Sequence, residues 1–290
     1  MNTHLVTLAG RKVTTLKPML EHYFKLGISS ARIFVHRIEG NNILEEAAEI
    51  AKPYGSQAVL TPVEGDWLKV QYQCLMSTQA SPNEWFIHAD QDEFQVYPYR
   101  LEDIVADAEK RGYDHITGCF VDRFASDGKL RPLDPTQPLW PQYPLGAFFT
   151  YPVLKADPRK VVAARGGVTF KSSGHHQVKA GSAYPAEECF VQVHHFKWVA
   201  GLLDYLQERT SEWGGAAAVQ RESTRFMKYY SLMGDRVDIN DSALMVARCG
   251  EQYPHIDVAR RLLALQDLSV RMYSLLDAAS EPQAAAQASR

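Results

Sequence analysis

The stretch WFIHADQDEF (residues 85–94) joins the pattern of a buried strand to a cluster of acids. Its first five residues are apolar or aromatic apart from one histidine, and Asp90, Asp92 and Glu93 follow within four positions. An apolar run of this length predicts a strand inside the protein. The acids then need a physical reason to lie at its end, because carboxylates avoid the interior unless they are paired.

Strand-like and helix-like segments alternate on both sides of this stretch. The other strand patterns cover residues 3–9, 31–36, 57–63 and 114–124. Helical patterns with capping or stop signals cover residues 15–27, 41–55, 66–79 and 101–112. Such alternation predicts an α/β fold with a mainly parallel central sheet flanked by helices.

The acids lie where the ligand crevice of such a fold is expected. In open α/β sheets, ligands bind beyond the carboxyl ends of the strands. In a regular strand Asp90 and Asp92 would share one face, about 6.5 to 7 Å apart. Unpaired carboxylates would repel, whereas a divalent cation neutralises them and can bridge phosphate oxygens of a ligand. The sequence therefore predicts a metal and phosphate site, with a solvated acidic turn as the alternative.

Composition narrows the class of protein. The 290-residue chain is 46% hydrophobic and 22% charged, and a net charge of -3 with a pI near 6.4 argues against a nucleic-acid partner. The four cysteines form no CxxC pair, which favours a reducing compartment. No signal-peptide pattern or apolar run of membrane-spanning length is present in the sequence. We expect a soluble cytoplasmic protein, with peripheral attachment at the inner face of the membrane left open.

Four segments together resemble a known family. LEHYFKLGISSARIFVH, EWFIHADQDEF, VDRFASDGKL and VHHFKW occur in the order and spacing of bacterial family 2-like glycosyltransferases of the GT-A fold, a Rossmann-like fold. The similar subgroup extends its D-x-D to D-x-D-E-F and carries an H-H-F-K-W segment. The resemblance covers roughly residues 3 to 210. One departure is HRIEGNN (36–42), where relatives often carry a D-N-x-S-x-D-like stretch that bears on base and ribose contacts.

The resemblance implies transfer of a sugar from a nucleoside-diphosphate sugar to a saccharide or glycolipid acceptor, with inversion. It implies Mn²⁺ or Mg²⁺ held by Asp90 and Asp92 against the diphosphate. By the same resemblance, His194 or His195 completes the metal shell, and Lys197 contacts the diphosphate. Neighbouring strand residues point in opposite directions, so only one of the two histidines is expected to face the site.

Other candidates follow from position in the predicted fold. Asp122 and Glu188 are candidate bases for the acceptor hydroxyl; an ion pair with Arg123 is the alternative for Asp122, and Glu187 is a rival of Glu188. Donor contacts are expected from the loop after the first strand and from the residues around the third helix and the acidic stretch, namely Leu8, Ala9, Gly10, Arg11, Lys69, Gln71, Gln73, Asp90 and Gln91. A second pair, His175 and His176, is interpreted as part of the acceptor pocket or as a plain surface loop. Trp140 and Tyr143 are candidate sugar-stacking residues, with local packing as the alternative.

The predicted organisation has three parts. Residues 1–198 form the nucleotide-sugar-binding and catalytic domain, of which 130–185 is a loop-rich acceptor region. Residues 199–278 form a helical C-terminal extension packed on it, and 279–290 a disordered tail.

Two other function classes remain open. One is another metal-phosphate enzyme, a phosphohydrolase or nucleotidyltransferase. The other is a non-catalytic nucleotide- or sugar-binding domain of the same fold. Sequence does not specify the nucleotide, the sugar, the acceptor or the oligomeric state.

Overall fold

The computed structural model describes residues 2–38, 40–212 and 217–254 of the chain. These fall into two compact units. The first comprises residues 1–121, 133–142 and 158–196, and the second comprises 122–132, 143–157 and the residues from 197 onward. The predicted acceptor region 130–185 is divided between the two units, which are described separately below.

The first unit is built on a central mixed sheet with helices beside it. Its strands are β1 (Thr3–Ala9), β2 (Ser30–His36), β3 (Ala58–Val63), β4 (Trp85–His88), β5 (Glu93–Val96), β6 (His115–Phe124, up to residue 121), β8 (Arg159–Arg165) and β9 (Val191–His195). The strand order is β6-β8-β4-β1-β2-β3, and β5 and β9 pair with each other beside this path. Strands β4, β1, β2 and β3 are parallel, and β8 is antiparallel to both β4 and β6.

Four helices connect these strands. They are α1 (Leu16–Lys25), α2 (Ile43–Ala51), α3 (Trp67–Met76) and α4 (Leu101–Arg111), and a short helix, α5, covers Leu139–Gln142. The Asp66 side chain caps α3 by accepting a hydrogen bond from the Lys69 N–H at 3.0 Å. At the end of α4, Gly112 has the left-handed conformation (φ 80°) that lets the chain turn back into β6. The sequence signals for these two boundaries were correct. Asn42, at the N-terminal end of α2, makes no capping hydrogen bond through its side chain.

The α/β fold class predicted from the alternation is confirmed, with two local differences. The strand that begins at Trp85 ends at His88, and the chain turns before a separate strand, β5, begins at Glu93. The strand predicted over 114–124 does not lie beside β4, because β8 is inserted between them. The parallel part of the sheet therefore ends at β4, and the acids lie at its last parallel strand.

The second unit has its own apolar core. The end of β6, residues 122–124, pairs with β7 (Leu145–Ala147), which pairs in turn with β10 (Ala247–Arg248). Within the described residues of this unit, three α-helices follow in chain order: α6 (Thr150–Leu154), α7 (Leu202–Glu212) and α8 (Ala217–Leu232). Aromatic side chains dominate the core, including Phe124, Phe149, Trp198, Phe226 and Tyr229. The described helices of the predicted C-terminal extension, α7 and α8, therefore contribute apolar side chains to this core.

Part of the predicted C-terminal extension and the whole predicted tail, residues 255–290, lie outside the described residues. Within the described part of the chain, no helix has the length and apolar character needed to cross a membrane. All four cysteines are free thiols and buried.

Candidate active site

The acidic stretch forms a tight turn after β4. The Glu93 N–H donates to the Asp90 carbonyl at 2.9 Å, so residues 90–93 make a four-residue turn. In return, the Asp90 N–H donates to the Glu93 carboxylate at 3.3 Å. Asp90 and Asp92 are therefore the first and third residues of a turn, and they do not share the face of a strand as the sequence suggested. Their side chains keep 35% and 30% exposure, whereas that of Glu93 is 2% exposed.

Each residue of this acidic turn (residues 90–93) is held by a different element. Asp90 accepts a hydrogen bond at 3.0 Å from the Gln71 amide of α3. The Gln91 amide donates to the Lys12 carbonyl at 2.6 Å, in the loop after β1. The Asp92 carbonyl accepts from the Phe196 N–H at 2.8 Å, beside β9. Because these three hydrogen bonds and the 2.8 Å ion pair of Glu93 with Lys160 fix the turn, its backbone is in place before any ligand binds.

The loop after β1 is itself constrained. The Lys12 N–H donates to the Gly10 carbonyl at 2.7 Å, which closes a turn centred on Arg11 at φ 60°. A positive φ is unfavourable for a non-glycine residue, and such strain often occurs at functional sites. Gly10 is required at its position, because a Cβ there would lie 2.4 Å from the Trp67 ring. Gln91 therefore connects the acidic turn to a strained loop at the end of the neighbouring strand.

A buried lysine neutralises the inner side of the turn. Lys160 of β8 places its ammonium 2.8 Å from Glu93 Oε1 and 3.7 Å from Asp90 Oδ2, and it is 2% exposed. The ammonium also donates to the Gly174 carbonyl at 3.1 Å and lies 5.2 Å from the centre of the Phe120 ring. Burial of a charge requires such compensation. Lys160 is not among the site residues predicted from the sequence.

His175 completes the buried layer. Its backbone has φ 41°, and its side chain is 2% exposed. Nδ1 lies 3.3 Å from the Val161 carbonyl, which can only accept, so this nitrogen carries the proton and Nε2 presents a lone pair. Nε2 lies 3.7 Å from Glu93 Oε2 and has no hydrogen-bond partner among the described residues. A lone pair facing a carboxylate favours a cation or a proton between them.

The surroundings shift the pKa values of these groups in different directions. Burial raises the pKa of Glu93 to about 7, even though Lys160 opposes the shift. Partial burial disfavours the charged form of Asp90, but the Lys160 ammonium and the Gln71 hydrogen bond outweigh it and hold the pKa of Asp90 at about 2. Burial, followed by the charge of Lys160, keeps the pKa of His175 well below its usual value. Neutral His175 and ionised Asp90 are both suited to bind a cation.

Three of these groups lie close enough together to be candidate ligands of a divalent cation. One ligand atom each from Asp90, Glu93 and His175 lies within 4.8 Å of the others. Two ligand atoms at about 2.1 Å from one ion are at most about 4.2 Å apart, so the 3.7 Å between His175 Nε2 and Glu93 Oε2 can be spanned. The donor set of carboxylates and one imidazole suits Mn²⁺ or Mg²⁺ together with water.

The predicted histidine pair on β9 divides between two faces. In the β5–β9 register, His195 lies opposite Glu93, and His194 lies opposite Phe94. His195 stacks on the Phe120 ring at 4.4 Å and places Nε2 3.8 Å from Asp92 Oδ2. His194 is fully buried on the other face, edge-on to the Trp140 ring at 5.0 Å. Of the two, His195 is the one beside the acidic turn.

The predicted donor contacts differ in accessibility. Leu8 and Ala9 are buried at the end of β1, so their side chains belong to the core. Lys69 and Gln73 are exposed on α3, and it is Gln71 that reaches Asp90.

Two residues predicted for catalysis belong to the second unit. The Asp122 carboxylate is fully buried and accepts hydrogen bonds from the N–H groups of Phe149 and Thr150, from the Thr150 hydroxyl and from the Trp198 indole, at 2.7 to 3.0 Å. Four donors use the capacity of a carboxylate, which favours a structural role for Asp122. Lys197 lies with its ammonium 5.6 Å from the Trp198 ring centre.

The remaining predicted residues have local partners. Glu188 forms a two-pronged ion pair with Arg111, at 2.5 and 2.9 Å, in the first unit. Trp140 packs among aromatic rings that include Phe94 and Phe196. Tyr143, in the second unit, is fully buried and donates to the Arg131 carbonyl, so packing describes it better than sugar stacking.

Three residues central to this cluster were missed or left without a role. Glu93 was within the quoted motif, and His175 was seen only as one of a loop pair. A lysine in the strand RKVVAAR (159–165), whose other interior residues are apolar, was the available signal for Lys160. No pattern in the sequence indicates that Lys160 and His175 lie beside Glu93. Their proximity depends on the position of β8 next to β4 in the sheet, which the sequence of one strand does not encode.

Comparisons with known proteins give only distant similarities. No protein-family model and no curated protein matches the chain. Among solved structures, TarS 1-349 from S. aureus is similar at 10% identity and a TM-score of 0.37, over 80% of this chain and 72% of that one. Apo UDP-glucose pyrophosphorylase matches at 10% identity and 0.28, over 94% and 99%. HddC from Yersinia pseudotuberculosis matches at 10% identity and 0.29, over 46% of this chain and 65% of its own length. Likenesses this distant carry no argument about function.

Proposed function

We propose that this protein is a metal-dependent glycosyltransferase that moves a sugar from a nucleoside-diphosphate sugar to an acceptor hydroxyl, with inversion. Synthesis of a surface polysaccharide, a glycolipid or a glycoprotein is the expected context. The observation that carries the proposal is the acidic turn at the end of β4. It lies at the carboxyl end of a parallel strand, beside the loop that follows β1.

The chemistry of the site supports this class of reaction. Asp90 and Asp92, with an imidazole from His175 or His195, would hold Mn²⁺ or Mg²⁺, and Glu93 belongs to the same group of ligand atoms as Asp90 and His175. A divalent cation bound there would stabilise the negative charge that develops on the departing diphosphate. Departure of a nucleoside diphosphate needs such stabilisation, since the group leaves with its charge increased.

The residues of the chain contribute orientation and charge balance. Gln71 and Gln91 fix the acidic turn against α3 and the loop after β1. Lys160 compensates the buried Glu93, which leaves Asp90 and Asp92 as the partly exposed carboxylates of the turn. Gly10 leaves room for the Trp67 ring, which packs against the loop at the end of β1. The general base remains unassigned, since Asp122 and Glu188 are both engaged by local donors.

The proposal is tested by donor turnover with Mn²⁺ in the wild-type protein and in Asp92→Asn. We expect the substitution to reduce nucleoside-diphosphate release at least about 100-fold, because it removes a charge that acts in the transition state. Because Asp92 is partly exposed, the free energy of unfolding should change by less than about 1 kcal/mol. Undiminished turnover in Asp92→Asn would refute the proposal.

The same assay separates the two metal-dependent classes. A glycosyltransferase releases a nucleoside diphosphate from the sugar nucleotide. A nucleotidyltransferase instead exchanges pyrophosphate with it and forms a nucleoside triphosphate and a sugar phosphate. Products of the second kind would replace the proposed function with that alternative, and tight nucleotide binding without turnover would favour the non-catalytic domain.

A further inference from the structure

Lys160 is unusual because it is an ammonium fixed inside a candidate cation site. It is 2% exposed and is held by the Glu93 carboxylate, the Gly174 carbonyl and the face of the Phe120 ring. A lysine held in this way cannot swing into solvent when a second cation arrives. Its charge is retained, because the neighbouring carboxylates outweigh the effect of burial and raise its pKa.

The electrostatic consequence concerns the same carboxylates that would bind a metal. The ammonium lies 2.8 Å from Glu93 and 3.7 Å from Asp90, and both residues belong to the group whose ligand atoms can surround an ion. A dication bound by those ligands would lie only about 5 Å from the fixed positive charge of Lys160. At an effective dielectric constant of about 20, repulsion at about 5 Å changes an affinity by far more than tenfold.

We infer that Lys160 is a built-in countercharge that weakens binding of a bare divalent cation, so that the cation binds well only together with an anionic diphosphate. The inference rests on the proposed function for the identity of the anion. The diphosphate brings the negative charge that offsets the added dication. When neither the dication nor the diphosphate is bound, Lys160 keeps the acidic turn assembled. Lys160 thus acts on the metal through charge and position and does not contact the reacting atoms.

The test measures Mn²⁺ binding to the full chain by equilibrium dialysis, with Mn²⁺ alone and with the Mn²⁺–pyrophosphate complex. In Lys160→Met we expect bare Mn²⁺ to bind at least about tenfold tighter than in the wild type. The preference of the wild type for the pyrophosphate complex should shrink by a similar factor. Lys110→Met removes an exposed lysine of α4 and should leave both affinities unchanged.

A second pair of variants covers the case in which Lys160→Met does not fold. Glu93→Gln and the double variant Lys160→Met with Glu93→Gln differ only in the lysine, and the double variant carries no unpaired buried charge. The double variant should bind bare Mn²⁺ at least about tenfold tighter than Glu93→Gln. Equal or weaker Mn²⁺ binding without the lysine would overturn the inference. Sugar-nucleotide turnover by the wild type is measured independently. The proposed function can therefore hold when the inference about Lys160 fails, and the inference can hold when the proposed function fails.

Discussion

Glu93 and Asp122 are both buried carboxylates, at 1% and 0% exposure, but their surroundings differ. Asp122 receives four hydrogen bonds, from two backbone N–H groups, the Thr150 hydroxyl and the Trp198 indole. Every donor around it is thereby satisfied. A carboxylate bonded in this way stabilises the fold, and it has little capacity left to take a proton or bind an ion.

Glu93 lies in a less satisfied environment. It pairs with Lys160, but it also faces the lone pair of His175 Nε2, and burial raises its pKa to about 7. Beside it, Asp90 stays ionised and partly exposed. A buried nitrogen without a hydrogen-bond partner, His175 Nε2, next to a partly exposed carboxylate, Asp90, is a combination typical of ligand-binding sites. The difference between the two carboxylates therefore distinguishes a fully hydrogen-bonded residue from the candidate cation site.

The largest expected effect comes from Asp122→Ala. Loss of the carboxylate leaves the buried donors of Thr150 and Trp198 without their acceptor, which should lower the free energy of unfolding by about 3–5 kcal/mol. Urea denaturation measures the change, and Asp122→Asn, which keeps one acceptor oxygen, should lose less. If Asp122→Ala kept its stability within about 1 kcal/mol but lost turnover, Asp122 would be the catalytic base and the comparison would fail.

A smaller effect is expected from Glu93→Gln, and it depends on pH. In the folded protein the pKa of Glu93 is about 7, above its ordinary value of 4.5. The folded state therefore binds more protons than the unfolded state between these values, and the free energy of unfolding falls as pH rises through this window, by about 2–3 kcal/mol. Glu93→Gln cannot titrate, so its stability should change less between pH 5 and pH 7.5. Urea denaturation at several pH values measures this dependence. If the free energy of unfolding changed equally with pH in the wild type and in Glu93→Gln, burial would not raise the pKa of Glu93.

The smallest effect is expected from Gln91→Met. The substitution removes the hydrogen bond to the Lys12 carbonyl, worth about 1–2 kcal/mol, and frees the strained loop at Arg11. We expect the KM for the sugar nucleotide to rise about tenfold with a smaller change in kcat, as steady-state kinetics would measure. Gln57→Met, at an exposed glutamine before β3, provides the control. A fall in kcat alone would mean that Gln91 does not position the donor.

Much of the fold could be predicted because its signals are local. The apolar run of residues 3–9 and the Asp66 cap each specify their element from within a few residues, and both match the structure. The acids at the end of β4 were likewise visible in the sequence. Their conformation was not, because the hydrogen bond from Glu93 to Asp90 closes a turn where a straight strand was expected.

The rest of the candidate site depends on contacts between distant segments. Lys160 meets Glu93 because β8 is inserted antiparallel beside β4, and no periodicity in one strand encodes the identity of its neighbour. The choice between His194 and His195 likewise depends on the pairing of β9 with β5. The alternation of side chains along a strand predicts that one of the two histidines faces the site, and the register of β9 with β5 determines that it is His195.

Anomalous diffraction at the manganese edge, from crystals grown with Mn²⁺ and a nucleoside diphosphate, tests the central claim most directly. We expect a peak about 2.1–2.3 Å from a carboxylate oxygen of Asp90 or Asp92, with diphosphate oxygens on the same ion. An acidic turn that remained bound to Lys160 alone, with nucleotide present and no manganese peak beside it, would contradict the account.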